Sequence, residues 1–428
     1  MYRSFLISLA VAAAFHAQAQ SVTHRVLVLN EGYYDFGGGG QLVPVSLGAF
    51  DPSTGTYGTV AVIEGPRFGS DLLVHAGSIY VAADDRVLRY DLESYTLLAS
   101  AEVIGVRKLA VWNDRLLLTR GELGGLPHYF EAREIASLDL VQAITPADGL
   151  PYAVEDVLVV GDLAYLAVGN AFEWGNMQGR IGIVDLPTMS YTGEVDLGPQ
   201  GLNPEKLMLH DGDILAFNNK DFSTSSISRV NTVDASLTYT VDVTVNSSCA
   251  ASARVEANAL VYFMEYAQNE LARFDPTSGA VADTLTGSPA IYGLLEDPIN
   301  GVLYGTTTDF FSTGALHVMS LQGEVLSTVA VGVAPGNLAL DIRQATSVPD
   351  RASAAPRVFP NPATDLVSVS GTAVKAGQWI AIHDSMGRRV MEQQVRTDGQ
   401  QSLELTGLAQ GAYVLRVGEG PGSRFIKH

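Results

Sequence analysis

The sequence predicts an all-β fold: a seven-bladed β-propeller followed by a small immunoglobulin-like β-sandwich. Three observations lead there. A turn motif recurs, since "FDPSTG" at Phe50–Gly55 returns as "FDPTSG" at Phe274–Gly279. A hairpin motif recurs in step with it. Finally, the composition changes abruptly after residue 343, where the repeats stop.

The turn motif has looser copies around Asp91, Ala136, Asp185, Asn231 and Ser320, so that seven turns follow one another at intervals of 40 to 49 residues. Asp or Asn before Pro, Ser, Thr or Gly is hairpin chemistry, because the side chain caps the turn and Gly accepts positive φ. The second motif is two alternating apolar runs around a Gly/Asp/Asn pair, as in "LLVHAGSIYVAADD", "LAVWNDRLLLTRG", "VLVVGDLAYLAVGN" and "LMLHDGDILAFNN". That grammar reads as a tight hairpin. Two hairpins in about 45 residues make one four-stranded propeller blade. At the ends, "HRVLVLNEG" lacks a preceding inner strand and "GNLALDIRQ" is an inner strand with nothing after it. Joining them completes a seventh blade and leaves no open sheet edge at the seam. The propeller is expected over residues 22–343.

The remaining segments follow from composition. Residues 1–19 read as a signal peptide: Arg3, an apolar run from Phe5 to Phe15, then small residues before Gln20. No other run is long and apolar enough to cross a bilayer. "QATSVPDRASAAP", residues 344–356, reads as a linker rich in small residues and Pro. Residues 357–428 carry short alternating strands with turns at "DSMG" and "LAQG", the pattern of a small sandwich. The formal charge of −20, with 26 Lys and Arg in 428 residues, argues against nucleic acid as a partner. Cys249 is the only cysteine, so no internal disulfide forms and the residue reads as a small buried hydrophobe.

Catalytic signatures are missing from the sequence: it has no G-x-S-x-G, no P-loop and no H-E-x-x-H. His24, His75, His128, His210, His317, His383 and His428 are scattered and read as structural. The "GGGG" run at Gly37–Gly40 reads as a loop. No cofactor and no metal site is identified. What stands out are long loops, one in the middle of most blades, that carry aromatic residues where polar ones are usual. They supply Tyr33, Tyr34, Phe36, Tyr129, Phe130, Phe172, Trp174, Phe222, Tyr266, Phe310 and Phe311. All are expected on the face shared with the blade-to-blade connections, and aromatics beside Asn, Glu and Gly are the usual make-up of a recognition surface. They are the candidate ligand-binding residues.

"FPNPATD", "GRRV", "LAQGAYVLRV" and the basic terminus "RFIKH" resemble, in order and position, the C-terminal sorting domain of proteins exported by the type IX secretion system of Bacteroidota. The resemblance implies that Pro360, Asn361, Pro362, Gly387, Gly411, Tyr413 and Lys427 form its motif. It also implies passage through the periplasm, contact with the secretion machinery, and release or attachment at the outer cell surface. The repeat region more loosely resembles YVTN/YncE-like seven-bladed propellers, some of which begin with an element like "LNEG" at Leu29–Gly32. The expectation is a secreted or cell-surface binding propeller without catalysis, taking a corrinoid, haem, glycan or protein on the aromatic face. The alternative is an extracellular enzyme, a lyase, glycosidase or esterase acting on a polymer. A scaffold of the cell-surface coat is a third reading.

Overall fold

The computed structural model describes residues 21–220, 224–243, 252–265, 267–344, 356–371, 374–418, 420 and 422–428. The expected signal peptide, Cys249, Phe222, Tyr266 and linker residues 345–355 lie outside these. The chain divides into two units, Ser21–Arg343 and a second that contains Gln344–His428.

Among the described residues the first unit is a β-propeller built from seven four-stranded sheets. From the inside outward, sheet 1 runs Pro335–Gln344, Ser21–Asn30, Val45–Asp51, Thr56–Ile63. Sheets 2 to 7 are meanders in chain order. Their innermost strands are Asp71–His75, Val106–Trp112, Val154–Val160, Pro204–His210, Ser252–Val255 and Leu294–Asp297. The two ends of the repeat region therefore meet in sheet 1, as the incomplete terminal blades require.

The strand patterns follow from where each strand sits. Second strands such as "SIYVAA" at Ser78–Ala83 are buried along their whole length. Successive side chains point to opposite faces of a sheet. Thus Ile79, Val81 and Ala83 pack against sheet 1, whereas Tyr80 and Ala82 pack against sheet 3. Outer strands such as Leu97–Glu102 face solvent and alternate weakly. Apolar clusters fill each interface between consecutive sheets. One more joins Tyr304, Leu316 and Val331 of sheet 7 to Val26, Val28 and Phe50 of sheet 1.

The recurring turn does what its chemistry predicts. Asp51 Oδ1 accepts from the backbone N–H and hydroxyl of Ser53, and Asp275 Oδ1 accepts from the Thr277 N–H. Both turns close on a glycine at positive φ, Gly55 at 70° and Gly279 at 67°.

The second unit holds a three-stranded sheet (Arg357–Phe359, Leu366–Ser370, Gln400–Glu404) and a four-stranded one (Arg389–Gln394, Trp379–His383, Gly411–Val417, Ser423–Lys427). Val367, Val369, Ile380, Ile382, Leu403, Leu415 and Phe425 form its core. The "FPNP" segment clasps the last strand. Asn361 Oδ1 accepts from the Ile426 N–H at 3.0 Å, and its Nδ2 donates to the Arg424 carbonyl at 3.2 Å. Exposed Pro360 and Pro362 flank this clasp. Gly387 closes the Asp384 turn at φ 77°. Gly411 opens the strand on which Tyr413 stacks against Phe425 at 5.6 Å, and Lys427 is buried.

Candidate functional site

Antiparallel meanders put the first and third turns of each sheet at one end and the middle loops, with the sheet-to-sheet connections, at the other. The inner strands begin at this loop end, and among the described residues three of them begin irregularly. Register slips by one residue between Val106 and Leu109, between Val154 and Val157, and between Pro204 and Lys206. A β-bulge places two residues against one and re-aims their side chains. Here the bulges carry Arg107 and Lys108, Glu155 and Asp156, and Glu205 and Lys206 at equivalent places in sheets 3, 4 and 5.

These charges converge where the inner strands meet. Lys108 Nζ donates to the Ser70 carbonyl at 2.7 Å and to Asn337 Oδ1 of sheet 1 at 3.3 Å, passing over sheet 2, whose Asp71 lies 3.7 Å away. Asp71 accepts the Leu109 N–H at 2.8 Å, and Asp156 accepts the Leu207 N–H at 2.7 Å, so each carboxylate braces the next sheet. These side chains are half-buried. Burial pushes Asp71 up and Asp156 up to about 6. Burial and repulsion from Lys108 push Lys206 down. Burial also opposes the charge of Lys108, but Asp71, Glu155 and Asp156 outweigh it and its pKa rises.

Around this floor lies a rim. Arg107 forks Glu155 at 2.7 to 3.0 Å and sits over the rings of Phe172, at 5.4 Å, and Phe68, at 5.8 Å. Phe172 packs so closely on Gly121 that a Cβ there would come within 2.3 Å of its ring. On the first and last sheets the rim is aromatic. Tyr33 meets Phe311 at 5.3 Å, Tyr292 meets Phe310 at 4.9 Å, and Tyr34 meets Phe36 at 5.0 Å, all edge-to-face. Asp309 fixes the loop beneath Phe310 and Phe311 by accepting the Phe311 and Ser312 N–H groups. Tyr292 also donates its hydroxyl to Glu31 Oε1 at 2.7 Å. Glu31 presses against Gly336, where a Cβ would fall 2.1 Å from that oxygen. Burial pushes Glu31 up to about 7 against the pull of Tyr292, Lys108 and Arg107.

The aromatic residues expected at the site divide. Phe36, Trp174, Phe310 and Phe311 are exposed, Trp174 most of all at 73 %. Tyr33, Tyr34 and Phe172 are half-buried at the rim. Tyr129 and Phe130 instead belong to the core between sheets 3 and 4; Phe130 is inside the strand Phe130–Glu134 and fully buried. Sequence reasoning missed Glu31, Tyr292, Phe68 and the charged floor. The signal was a polar pair before the same apolar run in "RKLAV", "EDVLV" and "EKLML". At the opposite end, a recess lined by His24, Arg25, Asp51, Glu93 and Arg343 is braced by the pairs Arg25–Asp51 and Arg343–Glu93. Among the described residues no group of three or more His, Cys, Asp or Glu side chains could hold a metal ion.

The raised Glu31 carboxyl makes a pH prediction. In the window between its ordinary 4.5 and about 7 the folded chain binds more protons than the unfolded one, so stability falls as pH rises through it. The loss is at most about 3 kcal/mol. Urea unfolding at pH 5 and pH 8 should show it, and Glu31→Gln should shrink the difference to the part that Asp156 and Asp71 contribute.

Residues 357–427 match the family described as a secretion system C-terminal sorting domain. The chain is thus an exported β-propeller protein: the domain directs it through the type IX machinery to the cell surface or the medium. Among the described residues no helix is long and apolar enough to cross a membrane. A comparison with curated proteins finds no match. Solved structures resemble the fold at low identity. Hydrazine synthase of Kuenenia stuttgartiensis aligns at TM-score 0.52 and 12 % identity, over 63 % of this chain and 88 % of that one. A candidate 6-phosphogluconolactonase of Bacteroides fragilis aligns at 0.52 and 12 %, over 74 % and 98 %. The extracellular domain of a candidate hybrid two component system of B. thetaiotaomicron aligns at 0.51 and 9 %, over 96 % and 60 %.

Proposed function

We propose that this is an extracellular binding protein without catalytic activity, its seven sheets the blades of one YncE-like ring, its ligand held at the loop end. In this reading residues 1–19 are the signal peptide, 22–343 the propeller, 344–356 the linker and 357–428 the sorting domain. One observation carries the reading. The first and last sheets, brought together by ring closure, gather Tyr33, Tyr292, Phe310 and Phe311 beside the carboxyl of Glu31. Exposed rings beside a desolvated polar group are what a small-ligand site needs.

The enzyme alternative draws on Glu31 and Asp156, whose raised pKa values suit proton transfer. Against it, Asp156 and Asp71 already cap backbone N–H groups of the neighbouring sheets. The test is a ligand screen on the full chain, covering corrinoids, haem, glycans, peptides and small amines, read by thermal shift. The hit should bind the double variant Tyr33→Ala, Phe311→Ala at least about tenfold more weakly. Unchanged affinity in a variant that melts normally would dismiss the loop-end site.

A further inference from the structure

Resting on the reading of the loop end as a binding site, we infer that its occupant carries a positively charged nitrogen, a quaternary ammonium or alkylated amine. Phe310 and Phe311 are consecutive, so one loop carries two edge-to-face pairs, Phe310 with Tyr292 and Phe311 with Tyr33. In an edge-to-face pair one ring keeps its face open, and ring faces carry the negative end of the aromatic quadrupole. Phe310 and Phe311 are 47 % and 65 % exposed, so part of this aromatic surface is accessible. An alkylated cation there gains both apolar contact and electrostatic attraction.

The carboxylate beside the rings supplies the opposite charge. Tyr292 holds Glu31 Oε1, while Oε2 takes no hydrogen bond among the described residues. Nor is Glu31 in an ion pair among them, although cations are close. Lys108 is engaged by Ser70, Asp71 and Asn337, and Arg107 by Glu155. Glu31 is thus a half-buried carboxyl with no ion-pair partner among the described residues, next to rings that attract a cation. A sugar would need several free donors and acceptors beside its stacking face. Here the Tyr292 hydroxyl donates to Glu31 and the Asn337 Oδ1 accepts from Lys108. The chain's charge of −20 also favours approach of a cation.

Calorimetry on the full chain with choline, its uncharged isostere 3,3-dimethyl-1-butanol, and methyl glucoside separates the cases. Choline should bind at least about tenfold more tightly than the isostere. Glu31→Gln should lower choline affinity by about as much while the melting temperature holds or rises. Choline affinity should increase from pH 6 to pH 8 as Glu31 ionises; the groups facing it are Tyr292, Lys108 and Arg107. Equal binding of choline and isostere, or tighter binding of methyl glucoside, overturns the cationic ligand but leaves a binding face. No binding of any probe at about 10 mM, or choline binding unchanged by Phe311→Ala, overturns the cation and counts against the face as well.

Discussion

A chain ending at Ala334 is expected to lose the cooperative unfolding of the propeller altogether. Of the residues removed, Pro335–Gln344 are the innermost strand of sheet 1, paired to Ser21–Asn30 from the other end of the repeats. Without them Leu338 and Leu340 no longer cover the cluster of Val26, Val28, Phe50 and Tyr304. The Thr306 hydroxyl loses the Pro335 carbonyl, and Lys108 loses Asn337. The strand Ser21–Asn30 becomes an unpaired edge at the centre of the ring, where water cannot easily satisfy its backbone. A domain is stable by about 5–15 kcal/mol, and the loss of a whole inner strand with its apolar cover is of that order. Thermal melts by circular dichroism should be broad for this chain and sigmoidal for one ending at Gln344. A sharp melt from both would mean that the seam contributes little.

Much of this architecture was legible because it repeats. A turn carboxylate such as Asp51 or Asp275 accepts local N–H groups whatever lies around it, so its sequence signature survives in copy after copy. Second strands such as Ser78–Ala83, buried on both faces, had to be continuous apolar runs. The site was harder to see because its parts come from different repeats. Glu31 and Tyr292 are 261 residues apart and meet only through closure. Lys108 and Asp156 resemble solvated strand ends until three bulges turn them toward one another.

The misplacement of Phe130 has a local cause. Its strand begins with "FEARE", whose Glu131 and Arg133 look like loop residues, yet Glu131 is fully buried. Arg120, Arg133 and His128 surround it, so the charge is compensated inside the sheet rather than by water. Polar letters therefore disguised a buried strand.

The same contrast makes the second large prediction, since Phe130 and Trp174 looked alike in sequence and should behave oppositely when truncated. Phe130 is fully buried and packs with Leu117, Ile144 and Leu150 in the core between sheets 3 and 4. Phe130→Ala removes a whole ring from this core and leaves a cavity that neighbouring strands, held by their ladders, can only partly collapse. The expected cost is about 3–5 kcal/mol. Trp174 is 73 % exposed in the loop after Val168, so Trp174→Ala should change stability by no more than about 0.5 kcal/mol. Urea unfolding of both variants against the parent chain decides it. Comparable losses would mean that Trp174 is tucked against protein in solution and that the loop end is part of the core, not a surface for a ligand.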